Sequence, residues 1–176
     1  MLQSGVNCIM KIKRESFVDA YITEALLSLL EKKEYKDISI TEICKKAGVT
    51  RMSFYRNFES KEDILFKKVR NVTDSFLKES AISYRNDTAS EYFLKLFTHM
   101  ERHKELCAAL HKAGLIHMIK DEFDRIFLNL YKQEYGCYKS VFLAGGIFNV
   151  FLFWFADGCK ENPMDLAKKL ESILLK

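Results

Sequence analysis

The chain has 176 residues, 48% of them apolar, with seven Gly and one Pro. That is enough for a real core but supplies too few turn formers for a sandwich or barrel. Residues 1–70 hold 14 Lys and Arg against 10 Asp and Glu, while residues 71–176 hold 14 of each; the whole excess of +4 lies where a phosphate-contacting module needs it, although a charge of that size is also ordinary surface.

Residues 1–10 fit no periodicity and lack the long apolar core of a secretory signal. From about Lys13 to Lys33 the pattern is that of a first helix. Val18, Ile22, Ala25 and Leu29 form its buried stripe, and Lys32 and Lys33 lie where cations suit the dipole.

Next comes SITEICKKAGVTRMSFYRNFESKEDIL, Ser39 to Leu65. Ser39 and Glu42 make a capping box. Ile40, Ile43, Cys44 and Ala47 then fall on one helical face. Gly48 stands where a helix end wants a left-handed residue, and Thr50 caps the next helix. In that helix Phe54 and Phe58 face inward, leaving Arg51, Met52, Ser53, Tyr55 and Arg56 outside. Ser60 and Asp63 open a further helix. This is a helix-turn-helix whose second helix presents a cation, a phenol and small polar groups. Lys45 and Lys46 near the turn fit either a phosphate contact or a solvated face.

The helix opening at Lys61 runs to about Arg85, with Leu65, Val69, Val72 and Phe76 along one side, and Asn86-Asp87-Thr88 breaks it. Further helices are predicted from about Ser90 to Met100, Lys104 to Lys112, Leu115 to Tyr135 and Tyr138 to Cys159. The last starts at Asn162-Pro163, an N-cap followed by Pro at the first helical position. No strand pattern or repeat is visible. The fold class is therefore all-α, with a helix-turn-helix domain over 11–60 and a second helical domain over 61–176.

The run Val141 to Ala156 is 16 residues with one strong polar group, Asn149. A membrane span needs about 20. A helix apolar all round must be covered on every side, so one side is expected to face its own core and the other a second copy of the chain.

The stretch AGVTRMSFYRNFESKEDIL resembles the DNA-binding domain of the TetR family of bacterial transcriptional regulators, and the likeness extends over about residues 12 to 70. Cys44 stands where the family often has Ala, and Glu34 where Gly often ends the first helix. The C-terminal half is similar to that of a subset of short Firmicutes TetR-like regulators, some linked to dihydroxyacetone metabolism. The resemblance implies a regulator, by family habit a repressor, that binds a near-palindromic double-stranded DNA operator as a homodimer. It implies DNA contacts from Thr41, Lys46, Thr50, Arg51, Met52, Ser53, Tyr55, Arg56, Asn57 and Lys61. Tyr55 and Lys61 would hold phosphates. It also implies that the last two helices pair across a two-fold axis, through Val141, Gly145, Phe148, Leu152, Leu166, Leu170 and Ile173.

A small-molecule effector of unknown identity belongs to the same expectation. Phe93, Phe97, His103, Cys107, Phe123, Phe127, Phe151 and Trp154 are candidates for its pocket, and core packing is their simpler role. His99 and His103 have a spacing that holds metal on a helix, but no third ligand stands out, and neither a metal nor a cofactor is expected. No catalytic constellation is present, so the chain is not read as an enzyme. The five cysteines (Cys8, Cys44, Cys107, Cys137, Cys159) show no CxxC pair and fit free thiols in a reducing cytoplasm. The alternative is a TetR-like protein without operator binding that acts as a ligand-binding or interaction partner.

Overall fold

The structure, a computed structural model, describes residues 17–80 and 88–174. Among the described residues every regular element is helical. Helix α1 covers 17–30 and is followed by a single 3-10 turn, Tyr35–Asp37. Then come α2 (Ile40–Ala47), α3 (Arg51–Asn57), α4 (Lys61–Ser80), α5 (Ala89–Arg102), α6 (Lys104–Lys112), α7 (His117–Ala156) and α8 (Pro163–Leu174). The expected starts and ends at Lys13, Arg85 and Asn86 lie outside the described residues.

The residues group into two compact units. The first runs through Lys68 and also takes Ala108–Leu115; the second takes Val69–Cys107 and everything from Ile116. The division between these units falls within α4, and the end of α6 belongs to the first unit. The reason is packing, because Ile64 and Leu65 are fully buried in the helix-turn-helix core.

In the first unit α1 buries Ile22, Ala25, Leu26 and Leu30. Val18 and Leu29, expected in that stripe, are only half-buried; the inward face is rotated toward Leu26 and Leu30. The α1 C-terminus accepts from Lys112, whose Nζ donates to the carbonyls of Leu30 (2.9 Å) and Glu31 (3.4 Å). A cation there satisfies carbonyls that the helix leaves unpaired.

In the second unit α5 begins with a capping box, Thr88 with Glu91, and packs along α8. Ser90 N–H donates to Glu171 on α8 at 3.1 Å. The core is aromatic: Phe97 meets Trp154 edge-on at 5.5 Å, and Phe123 stacks on Phe127 and Phe151. Helix α7 breaks at Gly136, whose φ of 76° and ψ of 168° are non-helical. A side chain there would be strained, and glycine takes the turn without that cost. The sequence places its helix break between Tyr135 and Tyr138, around this glycine.

Beyond the break, the Gly136–Ala156 arm is 21 residues, long and apolar enough to cross a membrane by length and composition. The length argument made on 16 residues therefore does not hold for the folded helix. One face of the arm is nonetheless spent on the core: Ala144, Ile147, Phe148, Phe151 and Trp154 are buried.

Candidate nucleic-acid interface and effector cavity

The helix-turn-helix is held by caps. Ser39 Oγ accepts from Glu42 N–H, and the Glu42 carboxylate accepts from Ser39 N–H in return. An ion pair with Lys33, then the bonds from Ser39, hold the Glu42 carboxyl down at about 2, well below the ordinary range. Gly48 closes α2 in the left-handed conformation, at φ 68°. Thr50 Oγ1 accepts from Ser53 N–H at 3.1 Å and starts α3. Ser60 Oγ accepts from Asp63 N–H at 3.2 Å and starts α4.

Two rings pin α3. Phe54 is fully buried and Phe58 nearly so, with centroids 5.9 Å apart. This fixes the rotation of a helix only seven residues long. Thr50, Arg51, Met52, Tyr55 and Arg56 are left exposed, Met52 at 73%. A long apolar side chain so exposed at a helix start is what a base-edge contact needs and what monomer stability does not. The Arg51 guanidinium lies 3.4 Å from the Tyr55 hydroxyl and 5.9 Å above its ring centroid. Thr41 and Lys46 are exposed on α2, while Ser53 and Asn57 are half-buried. Asn57 Nδ2 donates back to the Ser53 carbonyl at 2.8 Å.

Lys61 has an occupation inside the protein that its position in the sequence does not reveal. Its ammonium donates to the carbonyls of Tyr35 (2.7 Å) and Ile38 (3.0 Å) and sits 4.3 Å above the Tyr35 ring. It thus fastens the 3-10 turn to the start of α4. Lys67, exposed six residues further along α4, is not among the expected contacts. It donates to the Asn57 carbonyl at 2.7 Å and pairs with Asp63.

In the second unit a cavity of about 60 Å³ lies among α4, α5, α6 and the first half of α7. Of the candidate pocket residues, His103, Cys107 and Phe123 line it, together with His99. Phe93, Phe97, Phe127, Phe151 and Trp154 are not among its lining residues; they are buried in the aromatic core instead, where rings at helical spacing find each other first. Val72, Phe76, Leu96, Met100 and Glu122 line it without having been singled out for the site. His99 Nε2 bonds to the Val72 carbonyl at 3.1 Å. A carbonyl only accepts, so this nitrogen carries the proton. Burial, and then the neighbouring His103, push the His99 pKa down. Burial pushes the Cys107 thiol up to about 12.

In the last two helices the expected interface residues differ in burial. Phe148, Leu166 and Leu170, proposed as interface residues, are buried within their own unit. Val141 and Ile173 are exposed, and Gly145 and Leu152 are half-buried. The exposed apolar side chains are Tyr138 (95%), Val141, Phe142 (74%) and Phe153 (79%) on α7, with Met164 and Ile173 on α8. Tyr138, Phe142, Gly146, Asn149 and Phe153 recur at three- and four-residue intervals, which puts them on one helical face.

Comparison with known proteins adds the following. Residues 22–67 match the family described as bacterial regulatory proteins, tetR family, and residues 87–176 match a transcriptional regulator C-terminal region. The chain is 24% identical to the uncharacterized HTH-type transcriptional regulator YxbF of Bacillus subtilis (strain 168), over 86% of this chain and 43% of that protein. It therefore spans less than half the length of that relative. It is 25% identical to an uncharacterized HTH-type transcriptional regulator of Haemophilus influenzae, over 94% of this chain and 84% of that one. In fold it is similar to a TetR transcriptional regulator from Streptococcus agalactiae 2603V, with a TM-score of 0.67 and 20% identity over 94% of this chain and 98% of that one. It is also similar to the fatty acid degradation regulator FadR from Bacillus halodurans, with a TM-score of 0.57 and 20% identity over 89% of this chain and 94% of that one.

Proposed function

The chain belongs to the TetR family of bacterial transcriptional regulators, and from that premise we propose that it is a cytoplasmic, homodimeric, sequence-specific repressor released from its operator by a small molecule. One observation carries the reading. Helix α3 is pinned by Phe54 and Phe58 so that Thr50, Arg51, Met52, Tyr55 and Arg56 all emerge on the solvent side. The set combines two guanidiniums, a phenol, a hydroxyl and an apolar tip, the mixture that reads base edges and anchors phosphates. Acidic or apolar groups there would favour the partner without operator binding.

The exposed apolar face of α7 supports the dimer. It lies on the helix that would otherwise be a candidate membrane span. Its other face is already buried, so a second copy covers it more simply than lipid does. Two reading heads related by a two-fold axis call for a near-palindromic site. The 60 Å³ cavity, with α4 on one wall, supports control by an effector. Helix α4 is continuous from Lys61 to Ser80 and contributes residues to both units.

The test is fluorescence anisotropy with duplexes from the chain's own upstream region. Tight binding to one duplex, with competition by that sequence and not by scrambled DNA, is the expected result. Equal, salt-sensitive binding to all duplexes would point to the partner without an operator.

A further inference from the structure

The Thr73 hydroxyl, one His99 nitrogen and the Glu122 carboxylate on the cavity wall are already committed to neighbours in the protein. Thr73 Oγ1 donates to the Val69 carbonyl at 2.7 Å. His99 Nε2 donates to the Val72 carbonyl at 3.1 Å. Glu122 is buried, and Arg125 donates to its Oε2 from two nitrogens at 2.6 and 2.8 Å. Its other oxygen, Oε1, faces Arg70 Nε at 3.4 Å. Arg125 reaches on to Asp74 at 2.9 Å, so its own charge is shared between two carboxylates. The His103 ring lies beside that of His99, with centroids 4.8 Å apart. Cys107 remains a protonated thiol, because burial pushes its pKa up to about 12.

The carboxylate on the wall is therefore matched by arginine, and the Thr73 hydroxyl and His99 Nε2–H are satisfied. A charged ligand entering it would shed its hydration against a wall that is mostly apolar and whose one carboxylate is already paired, a large cost. An apolar ligand loses nothing polar and gains burial. Size sets a second condition. A cavity of about 150 Å³ takes benzene, and this one measures about 60 Å³. Anything of ring size must widen it, and Met100, an unbranched side chain on the wall, is suited to yield.

We propose that the effector of this cavity is a small, uncharged, predominantly apolar molecule of about one ring, which enters by displacing Met100 and presses α4 away from α5 and α7. The proposal rests on the reading of this cavity as the effector site. It excludes anionic effectors such as free carboxylates and phosphates.

The test is a titration of the full chain with toluene and, separately, with benzoate, which replaces the methyl by a carboxylate. The methyl signals of Ile119 and Ile126, both on the wall, are followed by NMR, and operator binding is followed in parallel by anisotropy. Toluene is expected to shift these signals, with at least a tenfold lower Kd than benzoate. Met100→Ala is expected to tighten toluene binding, and Leu96→Trp, which fills the space, to abolish it. Benzoate binding as tightly as toluene, or neither ligand moving the signals, overturns the proposal. If toluene binds with the expected preference and the operator stays bound, the ligand class stands and control by this cavity falls.

Discussion

Lys112 Nζ lies 2.9 Å from the carbonyl oxygen of Leu30, across 82 residues of sequence. The last residue of α6 thereby caps the last turn of α1, inside the unit that carries the helix-turn-helix. Lys112→Met keeps the stem and removes the donor. We expect a loss of about 1 kcal/mol in urea unfolding, because a helix-end carbonyl loses its cation. An unchanged midpoint would show that water replaces the ammonium at no cost.

Arg51 is expected to read a base. Its guanidinium sits beside the Tyr55 hydroxyl at 3.4 Å, which orients it before DNA arrives. Arg51→Ala should cost about 1–3 kcal/mol of operator affinity and relax discrimination at one position. Affinity and selectivity both unchanged in a competition assay would take Arg51 out of the reading set.

Lys61 is expected to serve two structures at once. Lys61→Ala should lower affinity for all duplexes alike and reduce the salt slope by about one, the mark of a phosphate contact. It should also destabilise the fold by about 1–3 kcal/mol, since the carbonyls of Tyr35 and Ile38 lose their donor. A stability loss with no change in salt slope would confine Lys61 to holding the turn.

Assembly is expected to depend on Gly146. A Cβ built there meets nothing within 4 Å, so the subunit by itself has no need of glycine. Gly146→Leu should stabilise the isolated helix by about 0.5–1 kcal/mol yet weaken the dimer, because only a partner approaches that face. Phe142→Asp should do the same by placing a charge on it. Analytical ultracentrifugation checks both; dimers as tight as wild type in both variants would relocate the interface.

His99 gives a pH prediction. Its pKa is lowered from 6.5, first by burial and then by His103. The unfolded chain therefore takes up a proton more readily than the folded one as pH falls. The stability contribution is fully present above 6.5 and is lost as pH drops toward the lowered folded value. Melts of wild type and His99→Gln over pH 5 to 8 test this. The wild-type loss below 6.5 should be shallower in the variant, and parallel curves would acquit His99.

Where the sequence carried a chemical rule with a fixed offset, the structure follows it. Ser39 with Glu42, Gly48, Thr50 with Ser53, and Ser60 with Asp63 each occupy the position their type demands. The capping box of Thr88 with Glu91 carries the same T-x-x-E signal, at the end of the Asn86-Asp87-Thr88 stretch that interrupts the helical pattern. The second half was less legible because its signal has no period. In the run Val141 to Ala156 only Asn149 is strongly polar, so a single residue is all that marks the face of Phe142, which is exposed, off from that of Phe148, which is buried. Leu166 and Leu170 form a clean stripe, and a stripe shows that a face is covered without showing by what. The cavity wall was missed for a related reason: Val72 and Glu122 come together only when α4 and α7 pack.

Helix α3 is seven residues, about two turns, far below the 12–15 at which an isolated helix is even marginal in water. Its order is borrowed from Thr50 at its start and from Phe54 and Phe58 beneath it. A synthetic peptide of Arg51–Asn57 should therefore be a coil with no affinity worth measuring. The division of labour also makes the segment a transplantable cassette. Keeping Thr50, Phe54 and Phe58 while exchanging Arg51, Met52, Tyr55 and Arg56 should retarget the protein to another half-site without refolding it.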